Sequence, residues 1–156
     1  MSWKTINGVK IPDIHDWVRE ATRDGQVVHI GTDSLQSGRM TQFVTVVVIH
    51  TPTKGGRVAY QREVVPRIKS LRERLLAEVW RSVDIGLKLS PLVKGDLTVH
   101  IDANPVVKHK SSAYIQELVG LVMGQGFKAL IKPDSWAATH CADHIVRTAG
   151  KMPVTV

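Results

Sequence analysis

The sequence is nearly without cysteine: Cys141 stands alone among 156 residues. No disulfide can close within the chain, and no zinc site built from several cysteines can form. Such usage fits a reducing compartment. Long apolar runs are missing as well. The longest, "FVTVVVIH" at residues 43–50, is strand-sized, far short of the roughly 20 residues that span a bilayer. The opening "MSWKTINGVKIPD" has no apolar signal segment. The expectation is a cytoplasmic protein with no membrane partner. Aromatic residues are only 5% of the chain, so no base-stacking platform for single strands is evident. Low-complexity blocks, internal repeats and domain linkers are also absent.

What remains is an ordinary globular composition, 43% hydrophobic. That length suits one domain, residues 1–156, with room for a real core. Residues 1–26 read as an N-terminal helical extension. The net charge of +7 allows a polyanionic partner such as nucleic acid.

Periodicity gives the elements. Residues 11–23 read as a short amphipathic helix, with Asp13 as N-cap and Ile14, Trp17, Val18 and Ala21 on one face. Three strands follow, at residues 27–33, 41–50 and 57–64. "TPTKGG" at 51–56 is the turn between the last two, and short connections predict an antiparallel meander. A long helix is expected over 66–89, with Pro66 in its first turn and a stripe of Ile68, Leu71, Leu75, Val79 and Val83. Then come a strand at 97–102, a helix at 112–123, a strand at 127–131, and a last helix capped by Asp134 or Ser135 and running to about Thr148. Trp17, Trp80 and Trp136 read as packing residues. The order α-βββ-α-β-α-β-α implies an α/β fold: a mixed five-stranded sheet flanked by helices, with parallel additions to an antiparallel start.

Two strands end alike. "VVHIGTDS" delivers Asp33 and "LTVHIDAN" delivers Asp102, each acid a few residues after a His-Ile pair. If these strands are parallel neighbours, both acids lie at the sheet edge where α/β proteins bind ligands. Adjacent carboxylates repel unless a cation bridges them, and Mg²⁺ or Mn²⁺ suits hard oxygen ligands. Further acids are available: Glu73 and Glu78 beside the stripe of the long helix, and Asp143 in the apolar part of the last.

Other constellations carry less. His140, Asp143 and His144 share a helix face at zinc-compatible spacing, but no protease-type glutamate accompanies them. Cys141 and His140 are sequence neighbours and point apart on a helix. "GQG" and "KGG" lack the features of a phosphate loop. Arg67, Lys69, Arg72, Arg74 and Arg81 crowd the long helix, and Lys108, His109 and Lys110 follow Asp102. These cations could hold a phosphate backbone without reading sequence.

The order β-β-β-α-β-α-β-α, with acids on the first strand, the first helix, the fourth strand and the last helix, resembles the ribonuclease H fold. More closely, "IGTDS", "FVTVVVIH", "KGGR", "LLAEVWRS", "HIDAN" and "IKPDSWAATHCAD" are similar to the YkuK-like branch of ribonuclease H-like proteins, over about residues 27–146. The resemblance implies Asp33, Asp102 and Asp143 as metal ligands and catalytic acids. Glu78 completes the set, because "LLAEVWRS" carries the likeness; Glu73 is the alternate. It implies a nuclease using Mg²⁺ or Mn²⁺, with two ions acting on a phosphodiester of RNA, DNA or a hybrid. Lys132 and His140 become candidates for phosphate binding or proton transfer, and Lys108, Lys110, Arg72 and Arg81 for the nucleic-acid rim. The alternative is a non-catalytic nucleic-acid-binding module on the same fold.

Overall fold

The structure is a computed structural model describing residues 2–51, 55–106 and 108–149. The chain runs β1 (Trp3–Thr5), β2 (Lys10–Ile11), α1 (Ile14–Ala21), β3 (Val27–Ser37), β4 (Met40–Thr51), β5 (Gly55–Pro66), α2 (Leu71–Leu89), β6 (Leu97–His100), α3 (Ile115–Met123), β7 (Lys128–Leu130) and α4 (Asp143–Ala149). The middle of the turn expected at 51–56 lies outside the described residues. Among the described residues no helix is long and apolar enough to cross a membrane.

The sheet order is β2-β1-β5-β4-β3-β6-β7. Strands β3, β4 and β5 form the expected antiparallel meander, and β6 and β7 add parallel to β3. Among the described residues the sheet has seven strands, not five. The two additional strands, β1 and β2, were invisible to pattern reading because each is too short for an alternation to show. They flank the expected N-terminal helix on its amino side, and Asp13 caps α1 as expected, accepting from the backbone N–H of His15 and Asp16.

Strand β4 explains its own unbroken hydrophobicity. Val47 and Ile49 join a core with Val79 and Val83 of α2 and Leu118 and Val122 of α3. Val44, Val46 and Val48 face the other layer, under Ala137, Ala142 and Ile145. A strand covered on both faces has no polar side to show. In β3 the same alternation sends Val28, Ile30 and Thr32 toward α2, and His29, Gly31 and Asp33 toward the carboxy-terminal helical layer.

Several boundaries move. Pro66 ends β5, paired with Met40, and does not open the helix. Its fixed φ suits extended backbone too, and the ladder with β4 decides. Helix α2 instead starts after Ser70, whose hydroxyl accepts from the Glu73 N–H. The last helix begins as a π-type segment, Ala137–Ala142, before turning regular at Asp143. Trp80 is 52% exposed, off the buried stripe, so it is not a packing residue. Trp17 and Trp136 are partly buried against the cores.

Buried polar groups tie β3 to its neighbours. The Thr32 hydroxyl lies 2.9 Å from that of Thr45 and 2.7 Å from that of Ser82. Thr32→Val keeps the shape but leaves the other two hydroxyls short of a partner. An expected loss of about 2 kcal/mol should lower the melting temperature by roughly 6 °C.

Candidate metal centre

The parallel ladder between β3 and β6 stops at the pair Gly31–His100. Strand β3 continues to Ser37 along β4, so Asp33 is not at a strand tip; it sits mid-strand opposite Val44. Beyond Gly31 the β6 side of the strand is open. Asp33 and Asp102 each lie two residues past that last pair, and so come level at the notch. Helix α2 brings Glu78 to the same place. One carboxylate oxygen from each of Asp33, Glu78 and Asp102 lies within 4.8 Å of the others. Among the described residues this is the one group of acids, histidines or cysteine with such geometry.

Three carboxylates there are electrostatically expensive. Asp33 and Glu78 are almost wholly buried. Loss of solvent first, then the charges of Glu78 and Asp102 and a hydrogen bond with Asp143, push Asp33 up to about 9. Burial first also raises Glu78, to about 8, although a Ser34 hydroxyl donating at 2.5 Å and the nearby Arg74 and Lys132 charges oppose the rise. The Lys132 ammonium lies 2.8 Å from Asp102 Oδ1. Oδ1 is buried, and the ammonium pairs with it.

Asp143 approaches from α4. It hydrogen-bonds Asp33 but lies outside the three-acid group, and its Oδ1 accepts from Arg147 Nε at 2.7 Å. Glu73 is exposed in the first turn of α2 and stands apart. His140 is exposed at the edge of a cleft that Lys132 also lines. Arg72 is engaged with Glu117. Arg81 holds Glu63 at 2.7 Å and covers the Phe43 ring at 3.8 Å. Lys108 and Lys110 are exposed. The sequence reading passed over Ser34 and gave Arg74 no special part. The spacing of Arg74 and Glu78, four apart on one helix, was the available signal for the latter.

The two histidines before the acids do not enter the centre. His29 Nδ1 and His100 Nε2 are 2.9 Å apart, and the Ala137 N–H donates to His100 Nδ1 at 3.1 Å. With Nδ1 accepting, Nε2 must carry the proton and donate to His29, so His100 is held neutral. Both rings pack on Trp136 at 4.8 Å. The trio seats the π-type segment that leads into Asp143. Burial, then His29, lowers His100 to about 4. Its imidazole resonances are therefore expected to stay flat in an NMR titration from pH 8 to pH 5. A midpoint above 6 would break this arrangement.

The family model described as ribonuclease H-like matches residues 10–147. YkuK of Bacillus subtilis (strain 168) is 30% identical over 146 residues, covering 84% of this chain and 85% of its own. Among solved structures, the N-terminal RNase H domain of rv2228c from Mycobacterium tuberculosis aligns at 14% identity with a TM-score of 0.42, over 80% of this chain and 96% of that one. RNase H1 from Halobacterium salinarum NRC-1 aligns at 18% identity with a TM-score of 0.36, over 71% and 89%.

Proposed function

Since this chain belongs to the ribonuclease H-like family, we propose that it is a divalent-metal-dependent nuclease that hydrolyses phosphodiester bonds of nucleic acid. The observation that carries this reading is the acid group itself: three carboxylate oxygens within 4.8 Å, with Asp102 Oδ1 buried against the Lys132 ammonium. Oxygen-only donors suit Mg²⁺ or Mn²⁺ over zinc. When bound, such ions supply an activated water and a charge clamp on the phosphate.

The chain's own residues then have distinct tasks. Asp33, Glu78 and Asp102 hold the ions, and Ser34 fixes the Glu78 carboxylate. Asp143 is the fourth catalytic acid, reaching the centre when its pair with Arg147 opens. Lys132 leaves Asp102 to meet the substrate phosphate, and His140 is placed to move a proton on the leaving side. Lys108 and Lys110 hold the phosphate backbone. Arg72 and Arg81 join them only by giving up Glu117 and Glu63.

A second reading has its own support. Asp143 stands outside the acid group, and Lys132 already neutralises Asp102. Both features fit a non-catalytic nucleic-acid-binding module. Cleavage of a labelled panel (RNA, DNA and hybrid, single- and double-stranded) with Mg²⁺ or Mn²⁺, beside Asp102→Asn, separates the two. Cleavage lost in the variant is expected. Salt-sensitive binding with no turnover would favour the module.

A further inference from the structure

Next to the acid group is a cleft of about 550 Å³, within the size range of small-molecule sites. Pro105, Val106 and Pro133 give it a mostly apolar wall, and Asn104, Lys132 and His140 add polar groups. It adjoins the centre on two sides. The ammonium of Lys132 is 2.8 Å from Asp102 Oδ1, and His140 is three residues ahead of Asp143 on the same helical segment.

We propose that this cleft receives one unpaired nucleobase of the substrate, next to the phosphate held at the carboxylates. The inference rests on the nuclease reading and specifies its substrate as a single-stranded segment or strand end.

The chemistry of the cleft selects the occupant. Proline and valine surfaces suit the flat face of a heterocycle, and every base has such a face. His140 is exposed and can stack as an imidazole. The cation beside the apolar wall fits the phosphate attached to the base, and Lys108, His109 and Lys110, a few residues further along the chain, are exposed. An apolar ligand without a negative charge would leave these cations unused. A base within a duplex has both faces covered by its neighbours, so only an unstacked base can enter. The Asn104 amide is fixed by accepting from the Val106 N–H at 2.9 Å, which leaves its Nδ2 donors for the edge of the base.

The test uses the full chain, with Ca²⁺ in place of Mg²⁺ to prevent turnover. Affinity for a fluorescent short single strand and for a blunt duplex is read by anisotropy. Val106→Ser and His140→Ala are each expected to weaken the single strand roughly tenfold. His140→Phe should restore it, and blunt-duplex affinity should not change. In parallel, adenosine and uridine monophosphates should shift backbone NMR resonances around Val106 and His140. Unchanged single-strand affinity in both variants would overturn the inference. So would equal weakening on the blunt duplex, or shifts at these residues from an apolar peptide and none from the nucleotides. Mn²⁺ titration of the same samples keeps the two readings apart. If the wild type binds no Mn²⁺, the metal reading fails while the nucleotide shifts still decide the cleft. If Mn²⁺ binds and nucleotides ignore the cleft, only this inference fails.

Discussion

Asp33→Asn should make the metal-free protein more stable at pH 8 and leave it without nuclease activity. The two effects share one cause. Asp33 is raised to about 9 by burial and by Glu78 and Asp102, so the fold prefers its protonated form. A raised acid contributes stability that is complete below its unfolded value near 4 and lost as pH rises through its folded value. Across that window the native state binds more protons than the unfolded chain, and stability falls with rising pH. Asparagine removes the Asp33 part of that dependence. The expected gain at pH 8 is about 5 kcal/mol, or roughly 15 °C in melting temperature, vanishing toward pH 4. Adding Mn²⁺ should reverse the order, because only the wild type would bind it. Removing one ligand should forfeit about 4 kcal/mol of transition-state stabilisation, which is roughly a thousandfold in rate. Thermal melts across pH, with and without Mn²⁺, check the first part, and cleavage assays the second. A variant less stable at pH 8 would mean that the acids are not in conflict.

Gly31→Ala is expected to be the most damaging single methyl in the centre's surroundings. A Cβ at Gly31 would lie 2.6 Å from the Ala138 nitrogen and 2.7 Å from the Ala137 carbonyl carbon. Both are backbone atoms, so a side-chain rotation cannot relieve the clash. The π-type segment must lift from β3, carrying Trp136 off the His29–His100 pair and Asp143 away from Asp33. Overpacking of this kind costs about 3 kcal/mol, near 9 °C for a chain of this size. The variant should also lose the Asp33–Asp143 hydrogen bond while keeping the Asp33, Glu78 and Asp102 group. Mn²⁺ binding should therefore survive better than activity. A wild-type melt would show that this segment does not rest on β3.

Both substitutions fall in a stretch whose meaning was only half legible beforehand. The antiparallel meander and the parallel additions could be read, because β3, β4 and β6 carry strong apolar patterns and their connections differ in length. Level placement of Asp33 and Asp102 followed from treating their strands as parallel neighbours. Glu78 was distinguished from Glu73 by the motif around it; in the structure Glu78 is buried beside Asp33 and Asp102, and Glu73 is exposed. The short strands β1 and β2 could not be read, since two or three residues show no period and gain their identity from pairing, β1 with β5 and β2 with β1. Nor could the π-type segment, whose form depends on close approach to Gly31 rather than on local preference. The His-Ile pairs marked the two strands without showing where their histidines point. Alternation along the strand turns His29 toward the helical layer, where it supports the segment holding Asp143.

The most direct measurement is a calorimetric titration of the metal-free protein with Mn²⁺ at pH 8, beside Glu78→Gln. Saturable binding that releases protons in the wild type and disappears in the variant is the expected result, because ions must displace protons from raised carboxylates. No binding by the folded wild type, or equal binding by Glu78→Gln, would contradict a metal centre built from Asp33, Glu78 and Asp102.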